Sequence, residues 1–296
     1  MYMKIKRPIL YMLFMIIPIV CSGCADMRAK MVVDGMGPFL EKMKMSMNKS
    51  DDFELVQTAM PAGIMQLESF LEISPDNEDI LARTAEAYNS YAFAFVEDID
   101  KPRAIKLYQK SKNLAVRALQ WNKSFRIDNH QPIDEFNAAL KKFKKTYQVP
   151  ALFYLCSSWL KLLILNPQLD TISTELSQIE AILDRILKIN ETYHYGGVHA
   201  LFGCFYAARP SQMGGNLEMA RFHFNEAFDI SESKYLLWQL LYAKYYAVQM
   251  KDKELFISTL NDIISAKDAI LQEAIFPNQI AKRKAKALLD HINIYF

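Results

Sequence analysis

The sequence predicts an all-α protein made of antiparallel helix hairpins stacked into a superhelical repeat array. Three observations carry that expectation. Glycine is scarce, 9 residues in 296, which suits helix interiors better than sheets and turns. Apolar residues recur every three or four positions through stretches of roughly 12–20 residues, and no stretch alternates as a half-buried strand does. The links between these stretches are short and rich in Pro, Asn, Asp and Gly, as antiparallel neighbours require.

The chain opens with Lys4, Lys6 and Arg7 and no acid, followed by an apolar run from Ile9 to Val20 broken only by Pro18. A basic start, a short apolar run and small residues make a secretory signal. The run is shorter than the roughly 20 apolar residues of a membrane-spanning helix. Ser22 and Gly23 then precede Cys24. Small residues before a cysteine are what a lipoprotein signal peptidase accepts, and a nucleophilic thiolate is needed there to take the lipid. Residues 1–23 are therefore read as a lipoprotein signal peptide and Cys24 as the lipidation site. Cys21 stands where leucine is usual and is itself a poor acceptor behind the bulky Val20. Ala25, rather than Asp, after the cysteine favours the inner face of the outer membrane, with the body in the periplasm.

Residues 24–50 read as the lipidated cysteine, a Met-rich tether and a first helix from about Phe39 to Met47. Met27, Met31, Met36, Met43, Met45 and Met47 crowd this segment. They fit either ordinary packing or an adaptable docking face, since Met re-packs easily. Residues 51–296 form the helical domain. Asp51 and Asp52 cap a short helix to Ala59, and Pro61 opens the next, carrying Ile64, Leu67, Phe70 and Leu71 on one stripe. After the Ser74-Pro75-Asp76-Asn77 turn come Leu81, Ala85, Tyr88, Ala92 and Phe95 at helical spacing. Pro102 begins a helix with Ala104, Leu107, Tyr108, Leu114 and Leu119. A loop around Asp128–Pro132 leads to Phe136, Leu140 and Phe143. Pro150 starts a strongly apolar helix that Asn166-Pro167 ends. Ile172, Leu176, Ile179, Leu183 and Ile186 make another stripe. Gly196-Gly197, then Gly214-Gly215 with Asn216 as N-cap, precede two further helices. Lys251-Asp252 is a tight turn, and Phe276-Pro277-Asn278 opens the last helix.

Composition narrows the function. Removing Lys4, Lys6 and Arg7 takes the formal charge from +2 to −1, and a near-neutral body excludes the basic surface that a nucleic-acid partner needs. Cys156 and Cys204 are the remaining cysteines of the mature chain. An oxidising periplasm permits a disulfide, but both sit in apolar stretches and read as small buried side chains. No metal spacing, cofactor motif or catalytic constellation is present, so the chain is read as a non-enzyme.

The repeat is legible in pairs. In a tetratricopeptide repeat (TPR) a small residue and an aromatic sit three apart on the first helix, and small or aromatic residues answer on the second. Gly203 and Tyr206 have that spacing, with Ala220, Phe224 and Ala227 on the partner helix. Ala85 and Tyr88 are answered by Ala104, Tyr108 and Ser111. Ala243 and Tyr246 repeat the first half, answered only by Phe256, Leu260 and Ile263. Gly203 and Ala243 lie 40 residues apart, longer than the usual TPR period of about 34, so the array is TPR-like and degenerate.

These residues also carry a resemblance. Gly203-Cys-Phe-Tyr-Ala-Ala-Arg-Pro210, Met213-Gly-Gly-Asn216, Ala220 to Ala227, Tyr91 to Asp98, Val149 to Tyr154 with Trp159, and Pro277 to Ala285 with Leu288-Leu289 together resemble the T component of tripartite ATP-independent periplasmic (TRAP) transporters. The resemblance spans about residues 50–296, and Met213 replaces the usual leucine before the two glycines. It implies a TPR-like periplasmic lipoprotein that docks the transporter's solute-binding protein and passes a hydrophobic ligand. It also implies a homo-oligomer, a trimer with a pore through each protomer. The rival reading is a TPR-like scaffold lipoprotein of envelope assembly.

The candidate ligand or partner residues are Phe153, Tyr154, Trp159, Tyr195 and Tyr206, aromatics in mid-array, with Arg209 and Asn216 from the double-glycine loop. That loop is read as a shaped connection rather than an anion cradle. His194, Tyr195 and His199 lie near Glu191, but a five-residue spacing suits a shared metal poorly. Glu97, Asp98 and Asp100 read as a solvated acidic loop, and Lys282, Arg283, Lys284 and Lys286 as a solvated face.

Overall fold

A computed structural model describes residues 26–128, 131–166 and 172–296, and among them there is no strand. The signal segment and Cys24 lie outside the described residues. Residues 26–34 form helix α1. Then follow α2 (Gly37–Asn48), α3 (Phe53–Ile73), α4 (Glu78–Tyr91), α5 (Lys101–Leu119), α6 (Ile133–Leu140), α7 (Val149–Leu165), α8 (Ile172–Asn190), α9 (Tyr193–Ala207) and α10 (Leu217–Ile230). The chain closes with α11 (Leu237–Leu241), α12 (Val248–Met250), α13 (Lys253–Ser265) and α14 (Ile275–Asp290).

The polar links work as caps. Asp52, Asn77, Asp100, Asn216 and Asp252 each accept the backbone N–H three residues on, at 2.9–3.0 Å. This satisfies donors that have no partner inside the helix. The expected break at Pro61 does not occur, and α3 runs through it. Pro61 and Gln57, whose carbonyl loses its partner there, are both exposed, so water can serve that carbonyl. Buried Met60 and Ile64 hold the helix on either side. The segment read as a tether is helical from residue 26.

The hairpins are antiparallel. Ser111 donates to the Ala85 carbonyl, Arg117 to that of Pro75, and Tyr108 to the Glu97 carboxylate, so one residue number rises as the other falls. In α9 and α10, a Cβ added to Gly203 would lie 2.7 Å from the Phe224 ring. Glycine is what allows the two helices to approach there. This pairing is compatible with the TPR-like array that the spacing predicts. The very apolar α7 explains itself by position: it packs against α4, α5, α8 and α9. With the preceding turn, Thr146–Leu165 is long and apolar enough to cross a membrane, but most of it is buried in the fold.

The two ends of the domain also meet. Phe53, Val56 and Met60 of α3 pack with Phe276 and Ile280 of α14. Gln279 donates to the Asp51 carbonyl, and Arg283 pairs with Glu54 at 2.9 Å. The row of hairpins is thereby joined end to end through α3 and α14.

Candidate functional site

The helices surround a cavity of about 600 Å³. Its wall is mostly apolar. Leu40, Met43 and Met47 come from α2, Met60, Ile64 and Leu67 from α3, Phe153 and Leu160 from α7, Trp238 and Leu241 from α11, and Phe276 and Ile280 from α14. Gly63 also lines it, and a Cβ there would touch nothing within 4 Å.

Two polar clusters interrupt that wall. In the first, Glu86 accepts from Lys44 at 2.5 Å and from the Tyr154 hydroxyl at 2.8 Å. Burial alone would raise this carboxyl, but Lys44 and Tyr154 outweigh it and hold it below the usual carboxylate range. His194 stands beside them, pushed down to about 4 by burial and then by the Lys44 charge, so it is neutral at pH 7. Its φ of 51° and that of Tyr195, 56°, are left-handed. Strain of that kind concentrates at functional sites.

In the second cluster Lys161 meets Glu97 at 2.9 Å, and Lys244 and Lys284 approach the same carboxylate at 3.6 and 3.3 Å. The Tyr108 hydroxyl donates to it at 2.6 Å. Burial works against ionisation of Glu97, yet three lysines hold its carboxyl far below the usual range. Lys161 faces the cavity beside Phe93 and Tyr245. Its Nζ lies 4.6 Å from the Phe93 ring centroid and 3.5 Å from the Tyr245 hydroxyl. Phe93 and Tyr245 each sit in a π-helical turn, Ala92–Val96 and Tyr242–Ala247, a feature that recurs at functional positions. Glu97 is thus not part of a solvated acidic loop, and Lys284 is not on a solvated face: both are buried. Asp100 caps α5.

The residues singled out by sequence separate into four groups. Phe153 and Tyr154 line the cavity. Tyr195 stacks on the cavity residue Tyr235 at 4.7 Å, and its carbonyl accepts from Trp238. Trp159 and Tyr206 lie away from the cavity. Trp159 is buried, with its indole N–H on Glu175 and Lys112 over its ring at 4.0 Å. Tyr206 donates to Glu180 at 2.8 Å. Arg209 and Asn216 serve their own loop: Arg209 donates to the Phe205 carbonyl and covers that ring at 3.8 Å, and Asn216 caps α10. A Cβ on Gly215 would fall 1.9 Å from the Arg209 carbonyl oxygen. The loop's amides bond within the domain, Gly214 to Ser211, Gly215 to Pro210 and Asn216 to Tyr206, as a shaped connection requires. Cys156 and Cys204 are both free and buried. Burial pushes the Cys204 thiol up to about 12.

Sequence reading missed Lys44, Glu86, Lys161 and Lys244. For Lys161 a signal existed: it is the lone charge in α7, and a charge in a buried helix must be paired.

A match to the family described as TRAP transporter T-component covers residues 49–296. The chain belongs to that family. It is therefore an accessory component of a TRAP transporter, in a family of transport proteins rather than enzymes. No curated protein gives a significant match to it.

Proposed function

We propose that this T component is a periplasmic lipoprotein, anchored through Cys24, that docks the transporter's solute-binding protein and holds an apolar ligand in transit. The domain division follows the same reading: signal 1–23, anchor and first helices 24–50, TPR-like body 51–296. The observation that carries it is the cavity of about 600 Å³ with apolar walls. That volume lies in the range of small-molecule sites, which are commonly apolar with a few placed polar groups. Lys44–Glu86–Tyr154 and Lys161 are those groups here. Transferring apolar ligand surface out of water supplies roughly 25 cal/mol per Å². A second surface suits the partner. Met27, Met31 and Val32 of α1, Phe39 of α2, and Leu55 and Met65 of α3 are exposed by more than half, and Met adapts to varied partners.

The test is affinity purification of the full chain from detergent-solubilised envelope, with proteins and small molecules identified by mass spectrometry. Wild type is expected to bring down a periplasmic solute-binding protein and an apolar small molecule. Gly63→Trp, which fills the cavity from α3, is expected to keep the protein and lose the small molecule. Recovery of envelope-assembly proteins in place of a solute-binding protein would contradict the docking role.

A further inference from the structure

The α9–α10 hairpin carries a third polar cluster, whose residues do not line the cavity. Glu191 precedes α9, His199 lies on it, and His223 and Glu226 lie on α10. His199 Nε2 is 3.0 Å from Glu191 Oε1, and its Nδ1 is 2.9 Å from His223 Nδ1. One ligand atom each from Glu191, His199 and Glu226 lie within 4.8 Å of one another. His199 and His223 are buried, Glu226 is half-buried and Glu191 is exposed. Among the described residues, no lysine or arginine pairs with Glu191 or Glu226, while Glu86 and Glu97 have lysine partners.

We infer that Glu191, His199 and Glu226 form a binding site for a divalent transition-metal ion, with zinc the best fit to one imidazole and two carboxylates. The histidine pair supports this. Two Nδ1 atoms at hydrogen-bond distance share one proton: one ring donates and the other accepts. His223 is placed to accept, buried on α10 with its Nδ1 against that of His199. Its ring is fixed by stacking on Phe202 at 4.5 Å. In the tautomer in which His199 donates Nδ1–H to His223, the Nε2 lone pair faces Glu191, and a cation between them makes that arrangement attractive. Metal-bound histidines usually donate their other N–H to such an orienting partner. The two carboxylates neutralise a divalent charge, and the three protein ligands leave a position for water. A bound ion would tie the turn before α9 to α10 across the repeat. Sequence spacing argues against a metal here because the ligands come from the turn before α9, from α9 and from α10, and spacing along one segment cannot bring them together.

The test is calorimetric titration of the untagged, detergent-solubilised full chain with Zn²⁺, and with Co²⁺ followed by visible absorption. Wild type is expected to bind one equivalent at micromolar concentration or tighter. Glu191→Gln and Glu226→Gln, at positions open enough to leave folding intact, are expected to weaken binding by more than about tenfold. His223→Gln is expected to weaken it by roughly 10–100-fold as an orienting partner. Circular dichroism separates these losses from unfolding. Wild type without saturable binding up to about 1 mM Zn²⁺, or a Glu226→Gln variant that binds as wild type does, would overturn the assignment.

Discussion

At the scale of single residues, two positions make sharp demands. Gly203 faces the Phe224 ring so closely that an added Cβ must displace it. Gly203→Ala is expected to cost about 1–3 kcal/mol, the usual range for overpacking a full core, read as a lower urea midpoint. His194 makes a pH demand. Its folded value of about 4 lies below the ordinary 6.5, so between those values the unfolded chain binds more protons. Stability therefore rises with pH through that window and is lost as pH falls from about 6.5 towards 4. The difference is worth up to about 3 kcal/mol at neutral pH, from about 1.4 kcal/mol per unit. His194→Asn, which tolerates a left-handed φ, is expected to flatten the fall in urea midpoint between pH 7 and 5. An unchanged slope would show that His194 does not carry it. Glu86 acts in the same direction lower down, since its depressed carboxyl contributes above the ordinary carboxylate range and is lost on further acidification.

At the scale of elements, the buried ion cluster joins parts that are remote in sequence. Glu97 closes the π-helical turn after α4, Lys161 lies on α7, Lys244 on the second π-helical turn and Lys284 on α14. Removing one partner of a buried ionic group strands the others. Glu97→Gln leaves Lys161 without its carboxylate and Lys244 and Lys284 with Asp98 alone, and is expected to cost about 3 kcal/mol in urea unfolding. Loss of less than about 1 kcal/mol would mean that water already screens the cluster. The helices, their caps and the Gly203–Phe224 contact could be read from sequence because they depend on residues a few positions apart or on a known pairing of two helices. Neither the π-helical turns nor the path of α3 through Pro61 could be read that way. In both, packing from distant elements overrides local preference. Phe153 and Tyr154 were found because an aromatic-rich buried helix is conspicuous, but the same signal also picked out Trp159 and Tyr206, which face other neighbours. Which face of a buried helix looks inward depends on its partners. Lys284 reads as surface charge until α14 is brought against the turn after α4.

At the scale of the whole molecule, end-to-end closure makes the site. α14 meets α3 through Phe276, Ile280 and Phe53, with Arg283 paired to Glu54. A row of hairpins would otherwise offer an open groove; here α2, α3 and α14 contribute walls to a cavity of about 600 Å³. Family membership explains why such a chain serves transport, and in the function proposed above the cavity holds the ligand in transit. The most direct measurement is fluorescence titration of the purified, delipidated full chain with N-phenyl-1-naphthylamine, a neutral apolar probe, for wild type and Gly63→Trp. If the cavity holds an apolar ligand, wild type binds the probe saturably and Gly63→Trp binds it at least about tenfold more weakly, with both proteins equally helical by circular dichroism. No saturable binding to wild type, or equal binding to the two, would contradict it.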